Sequence, residues 1–215
     1  MNMNLGVYVI SARQLCGARG IVATMGAAAA GGAGIIQYRD KTADAADQLR
    51  EIERLCEAIA GRCPLVVNDR LDVALEGILR GLPIAGVHLG QADTSVVAAR
   101  EELGPDALIG LSANTADQLR VIEALPDGTL NYLGVGVIRE TNTKLDHPPA
   151  LGFDGFASFA RRTPLPCVAI GGIGIRDIAR IREAGGAGAA VVSAVCTAPD
   201  PEAMTRAMRR EWDSL

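Results

Sequence analysis

Eight short apolar runs, each followed by a helix-forming pattern, predict a closed (β/α)₈ barrel, the TIM-barrel architecture, with residues 1–215 as a single α/β domain. Two further observations favour it. The runs are almost continuously apolar, as parallel strands covered on both faces must be, and no G-x-G-x-x-G follows the first run, which argues against an open doubly wound sheet. Apolar residues make up 49% of the chain and charged residues 21%, a globular balance, and a barrel accommodates this length without a second domain.

Taken in order, residues 5–11 (Leu-Gly-Val-Tyr-Val-Ile-Ser) read as the first strand, and the Ala-rich residues 21–30 as a helix stopped by Gly31-Gly32. Residues 34–41 form the second strand. In residues 44–60, Ala45, Leu49, Ile52, Leu55, Cys56 and Ile59 recur at spacings of three and four, which makes an amphipathic helix. Strand three covers 64–69, a helix 71–82, strand four 86–90, and a helix 95–103 that Gly104-Pro105 ends. Strand five covers 108–113, and Thr115 caps a helix to residue 125. Strand six covers 132–138, a helix 153–162, strand seven 167–173, a helix 176–184, strand eight 189–195, and a last helix 201–212. The sequence Ala-Gly-Gly-Ala-Gly occurs twice, at 30–34 and 184–188, each time between a helix and the next strand.

Composition excludes several function classes. Lys plus Arg number 21 against 25 Asp plus Glu and aromatics are 3%, so there is neither a basic field nor a stacking platform for nucleic acid. Cys16, Cys56, Cys63, Cys167 and Cys196 are odd in number and lack C-x-x-C or metal-ligand spacing, which suits a reduced cytoplasm. The first ten residues are unlike a secretory signal, and no apolar stretch approaches the ~18 residues of a membrane span. The expectation is a cytoplasmic protein acting on small molecules, with self-association left open.

In such a barrel the active site is built after the strands, so polar residues at strand ends carry the information. Gln37, Arg39 and Lys41 alternate along strand two and therefore share a face, which aims an amide, a guanidinium and an ammonium at one space and suits a phosphate-rich anion. Asn68 and Asp69 end strand three, and Asp93 follows strand four. Two hard carboxylates on neighbouring strands can share one Mg²⁺ whose remaining ligands are water and substrate diphosphate. The same aspartates also suit helix caps, before Leu71 and before Ser95. His88, inside a strand, fits a hydrogen-bonded core histidine better than a catalyst. Ser112 and Asn114 end strand five. Thr141, Asn142, Thr143 and Lys144 form a polar loop after strand six, and His147 precedes Pro148-Pro149. Gly171, Gly172, Val192 and Ser193 end strands seven and eight, where barrels commonly hold a phosphate on backbone N–H groups.

In this order the segments Gln37-Tyr38-Arg39-Asp40-Lys41, Val67-Asn68-Asp69-Arg70, Val87-His88-Leu89-Gly90-Gln91-Ala92-Asp93, Gly110-Leu111-Ser112, Thr141-Asn142-Thr143-Lys144, Ala169-Ile170-Gly171-Gly172-Ile173 and Val192-Ser193 resemble thiamine phosphate synthases across nearly the whole chain. The resemblance implies a transferase of thiamine biosynthesis that joins a pyrimidine diphosphate to a thiazole phosphate and releases diphosphate. It implies that Gln37, Arg39, Lys41, Asn68 and Lys144 hold the pyrimidine diphosphate, with Tyr38, Asp40 and Asn142 in the same motifs. Asp69 and Asp93 would bind Mg²⁺, and Ser112 would lie beside the reacting pyrimidine, so that Ser112, Lys144 and Arg39 serve the chemistry. Thr141, Thr143, Gly172, Val192 and Ser193 would hold the thiazole phosphate. Residues 76–86 run longer than the family's usual stretch, Val137 stands where a proline is common, and Asp40 replaces a glutamate. A thiazole tautomerase of similar fold, using a group such as His88 and no diphosphate site, and a non-catalytic phosphate-binding barrel are the alternatives. Retention of Arg39, Lys41, Asp69, Asp93 and Lys144 argues against the tautomerase.

Overall fold

The computed structural model describes residues 3–140 and 149–214. Eight parallel strands close on themselves in chain order: β1 (Val7–Ile10), β2 (Ile35–Tyr38), β3 (Leu65–Asn68), β4 (Ile84–Leu89), β5 (Leu108–Ala113), β6 (Tyr132–Gly136), β7 (Cys167–Ile170) and β8 (Gly188–Val191), with β1 also paired to β8. The (β/α)₈ barrel expected from the alternation is therefore the fold.

Side chains alternate across each strand and so separate into two cores. Tyr8, Ile35, Val66, Tyr132, Val168 and Ala190 point inward and pack on one another. Val7, Val9, Val67, Val87, Leu133 and Val135 point outward under the helices. Each such aliphatic side chain contributes about 1.5 to 3 kcal/mol on burial, which explains why the strand signal was a continuous apolar run.

The helices are α1 (Arg13–Cys16), α2 (Gly20–Ala30), α3 (Ala45–Ile59), α4 (Leu71–Leu79), α5 (Val96–Leu103), α6 (Ala116–Glu123), α7 (Gly152–Ala160), α8 (Ile178–Glu183), α9 (Ser193–Cys196) and α10 (Pro201–Asp213). Their starts are chemically marked. Asp44 accepts from the Asp47 N–H at 2.8 Å before α3, Asp200 does the same for Ala203 at 2.9 Å before α10, and Thr115 and Gln118 form a reciprocal capping box on α6. No helix among the described residues is long and apolar enough to cross a membrane. All five cysteines carry free thiols, those of Cys16, Cys167 and Cys196 buried.

Six of the strands are shorter than the apolar runs that announced them, whereas β5 matches its run and β4 begins two residues before the expected start, at Ile84. β8 ends at Val191, level with its partner Val9 on β1, and the apolar residues after it wind into α9. A short apolar run does not by itself distinguish a buried strand from a buried helical turn. Likewise β2 stops at Tyr38, β6 at Gly136 and β7 at Ile170. The repeated Ala-Gly-Gly-Ala-Gly has a local cause. Its last glycines, Gly34 just before β2 and Gly188 at the start of β8, sit at the two strands flanking β1, and a Cβ on either would overlap a carbonyl oxygen of the approaching chain, that of Asn4 or of Leu5.

Below the barrel, Arg100 of α5 ties the entries of β5 and β6 together. Its guanidinium donates to the carbonyls of Gly104 and Ala107, both at 2.8 Å, and to the Asn131 side-chain oxygen at 2.8 Å, which also accepts the Ile109 N–H at 2.8 Å. Arg100→Ala is expected to lower unfolding stability by about 1.5 to 3 kcal/mol in urea titration, because charge-assisted bonds are lost and their acceptors left unpaired; an unchanged midpoint would contradict this.

Candidate active site

The inward-facing tyrosines fill the middle of the barrel, and above them the interior opens at the C-terminal ends of the strands as a cavity of about 430 Å³. Its floor is a string of polar groups. Gln37 Nε2 on β2 donates to the Tyr8 hydroxyl on β1 at 2.8 Å, and that hydroxyl lies 2.7 Å from the Tyr132 hydroxyl on β6. Tyr132 in turn lies 3.1 Å from Nδ1 of His88 on β4, whose Nε2 is 3.0 Å from Oγ of Ser112 on β5. Burial pushes both tyrosine hydroxyls far above their usual pKa, so they remain protonated. Glycine makes room for the rings. A Cβ on Gly110 would overlap the Tyr132 hydroxyl and lie 2.6 Å from His88 Nδ1, and one on Gly134 would lie 2.9 Å from His88 Cε1.

The expected face of Gln37, Arg39 and Lys41 does converge on the cavity, but only Gln37 does so from within β2. Beyond it the Ser11 hydroxyl accepts the Arg39 N–H at 2.7 Å and donates to the Arg39 carbonyl at 3.1 Å, which holds the alternation one turn past the strand. Tyr38 and Asp40 point the other way. The Tyr38 hydroxyl donates to Glu51 at 2.9 Å, and Asp40 accepts from Arg13 at 2.6 Å and from the Thr42 N–H at 2.8 Å. Those two side chains brace the strand end and do not line the cavity.

Asn68, Asp69 and Asp93 line the cavity beside Lys41, whose Nζ is 3.6 Å from Asp69. Neither aspartate caps a helix: α4 starts without a side-chain cap bond, and Ser95 caps α5 by accepting the Val97 N–H at 3.3 Å. Asp69 instead sits in the left-handed backbone region at φ 62°, a conformation a non-glycine residue rarely adopts. Asp93 closes a turn by accepting the Gly90 N–H at 2.6 Å. Burial raises the Asp69 carboxyl above the usual carboxylate range, the adjoining Asp93 carboxyl raises it further, and Lys41 only partly offsets them. Two facing carboxylates with an ammonium alongside fit a hard divalent cation that fills its shell with water and ligand oxygens. Among the described residues no group of three His, Cys, Asp or Glu could hold a metal, so these residues offer a cation the Asp69–Asp93 pair alone.

Across the mouth, Gly171 and Gly172 follow β7 at φ 103° and 66°, and Val192 and Ser193 follow β8. A Cβ on Gly171 would lie 2.5 Å from that of Val137. Arg139 pins this turn by donating to the Gly172 carbonyl at 3.0 Å and to both Asp177 oxygens at 2.8 and 2.7 Å, which holds the Asp177 carboxyl below its usual range. Thr141, Asn142, Thr143, Lys144 and His147 lie outside the described residues. Tyr8, Ser11 and Tyr132 were not singled out from sequence, because two tyrosines in strands look like β-formers and nothing pairs them locally.

The thiamine monophosphate synthase family model matches residues 7–195. Thiamine-phosphate synthases of Psychrobacter sp. and Laribacter hongkongensis are 40% and 42% identical over 92% and 95% of this chain and 91% and 93% of their own. The structure of thiamine phosphate pyrophosphorylase from Pyrococcus furiosus superposes with a TM-score of 0.84 at 29% identity, covering 99% of this chain and 97% of that one. A 3-hexulose-6-phosphate synthase structure, with a TM-score of 0.69 at 14% identity over 96% of this chain and 99% of that one, shares the fold alone.

The raised Asp69 carboxyl has a consequence for the metal-free protein. Folding favours its protonated form, so the penalty for ionisation is absent below the unfolded value of about 3.9 and grows as pH rises through the folded one. Asp69→Asn is therefore expected to raise the melting temperature of chelator-treated protein at neutral pH and to lose that advantage in acid; a variant no more stable at neutral pH would contradict the charge conflict.

Proposed function

The chain belongs to the thiamine monophosphate synthase family and is a transferase, and from that premise we propose that it joins a pyrimidine diphosphate to a thiazole phosphate, giving thiamine phosphate and diphosphate. The observation that carries this reading is the convergence of Arg39, Lys41, Asn68 and the Asp69–Asp93 pair on one arc of the cavity, with the glycine turns of β7 and β8 on another. Cations suit a diphosphate, and exposed backbone donors suit a monophosphate.

In the proposed reaction the C–O bond to diphosphate breaks with its electron pair leaving on oxygen, and the thiazole nitrogen donates its lone pair to the methylene carbon to form the new C–N bond. Arg39 and Lys41, with Lys144 by resemblance, stabilise the charge gathering on the leaving group. Asp69 and Asp93 would hold Mg²⁺, which when bound supplies further positive charge at the diphosphate oxygens. Gln37 and Ser112 orient the pyrimidine over the tyrosine floor, and Asn68 adds an amide at the diphosphate. Thr141, Thr143, Gly172, Val192 and Ser193 fix the thiazole phosphate so that its nitrogen faces the carbon it attacks. No side chain serves as a nucleophile.

Purified protein is expected to release diphosphate and form thiamine phosphate only when both substrates and Mg²⁺ are present, with EDTA abolishing turnover. Interconversion of thiazole phosphate isomers without diphosphate release would replace the synthase with the tautomerase, and phosphate-ligand binding without any turnover would leave a binding barrel. Asp93→Asn is expected to raise the Mg²⁺ concentration for half-maximal rate at least about tenfold, the cost of one charge-assisted contact; an unchanged Mg²⁺ dependence would remove Asp93 from the metal site.

A further inference from the structure

We propose that the hydrogen bonds under the cavity run in one direction, from Gln37 through Tyr8, Tyr132 and His88 to Ser112, so that His88 is held as the Nε2–H tautomer and Ser112 presents its hydroxyl proton to an acceptor on the ligand. The direction follows from what each group can do. The Gln37 amide nitrogen only donates, so the Tyr8 oxygen accepts and its own proton goes to the one remaining partner it has among the described residues, the Tyr132 oxygen at 2.7 Å. Tyr132, having accepted, donates to His88 Nδ1 at 3.1 Å. A neutral imidazole then carries its proton on Nε2 and donates it to Ser112 Oγ at 3.0 Å. The serine proton is left for the cavity that Ser112 lines.

The reverse direction strands a proton. Were Tyr132 to donate to Tyr8, the Tyr8 oxygen would accept twice and its O–H would have no acceptor among the described residues, at a side chain only 1% exposed. An imidazolium fails for the same reason, since a proton on Nδ1 would turn Tyr132 back toward Tyr8. Both phenols stay protonated under burial, so neither can absorb the conflict by ionising.

The consequence separates this serine–histidine pair from a nucleophilic one. In the latter the imidazole nitrogen facing the serine is unprotonated and takes its proton; here that nitrogen already holds one. Ser112 is thus a hydrogen-bond donor, and the ligand group it selects is an in-plane lone pair of the kind a heteroaromatic ring nitrogen offers. Gln37, Tyr8, Tyr132 and His88 are positioning residues that set the serine's polarity. The identity of the ring rests on the reaction proposed above, whereas the tautomer does not.

Nitrogen-15 NMR of the ligand-free protein reads the tautomer directly. The expected result is an unprotonated Nδ1 and a protonated Nε2 at His88 in wild type, with the Nδ1–H tautomer becoming populated in Tyr132→Phe, which keeps the ring and removes the hydroxyl. An Nδ1–H tautomer or an imidazolium in wild type overturns the proposal even if the variant fails to fold, and an unchanged tautomer in folded Tyr132→Phe overturns it as well. For the serine, dissociation constants are compared for the pyrimidine diphosphate and two analogues with one or the other ring nitrogen replaced by C–H. One analogue is expected to bind wild type about tenfold more weakly than the parent and to bind Ser112→Ala no more weakly than the parent does. Equal losses on both proteins overturn the donor role. If the parent diphosphate itself does not bind, the proposed reaction fails while the tautomer result stands.

Discussion

The 2.7 Å contact between the Tyr8 and Tyr132 hydroxyls decides how the inside of this barrel is used. An eight-stranded barrel leaves an interior just wide enough for side chains to fill, and here two phenol rings, edge to face with centroids 5.7 Å apart, fill its middle. Both side chains are buried, and leaving either hydroxyl unpaired would cost about 1 to 3 kcal/mol. Pairing them satisfies both and at the same time demands a further donor and a further acceptor, which Gln37 and His88 supply. The remaining interior volume is thereby displaced upward to the strand ends, and Gly110 and Gly134 lack side chains because the rings occupy that space. Filling the barrel and building the floor of the cavity are one event.

Above and below that floor the chain spends its stability differently. At the lower end Arg100 gathers backbone and side-chain oxygens from the entries of two strands, and Gly34 before β2 and Gly188 at the start of β8 let chain segments meet at backbone distance. At the upper end Asp69 is held in left-handed backbone with a carboxyl whose ionisation is disfavoured, beside a second carboxylate. Strain and like charge of this kind persist only where the surrounding structure over-determines them, and they coincide with the end of the barrel where such folds carry their chemistry.

That contrast also explains what could be read from the sequence. Eight strands were legible because burial on both faces leaves an apolar run, α3 because its apolar residues recur at spacings of three and four, and α6 because Thr115 announces its start. Strand lengths were not legible, since Val192 to Cys196 is as apolar in a helix as in a strand and only the register of β1 and β7 ends β8. Gln37, Arg39 and Lys41 reached the expected place by a partly unexpected route, because the Ser11 hydroxyl, 28 residues away, carries the alternation beyond Tyr38. Tyr38 and Asp40 belong to the same motif yet brace Arg13 and Glu51 from outside, which a motif cannot reveal. His88 reads correctly as a hydrogen-bonded histidine, but its partner Tyr132 is 44 residues away and Tyr132's partner Tyr8 is 124 away, so the string exists only after the barrel closes.

The distribution of donors around the mouth bears on how one cavity could serve two anionic substrates, as the proposed reaction requires. Two phosphorylated ligands at close range repel, and the repulsion is strong where walls exclude water. Placing all positive charge at one centre would draw both to the same spot. Here Arg39 and Lys41 stand with the carboxylate pair on the arc of β2 to β4, while Arg139, on the other arc, is bound to Asp177 on both nitrogens and so adds little net charge. Among the described residues, what β7 and β8 offer there is the Ser193 hydroxyl and backbone, the latter exposed by Gly171 and Gly172 and held in shape by that same arginine through the Gly172 carbonyl. With a divalent cation offsetting the two carboxylates, as the proposed function has it, a ligand of higher charge is favoured on the first arc and one of lower charge on the second. The Arg139–Asp177 pair contributes to the sorting by withdrawing a cation from the place where it would blur the distinction.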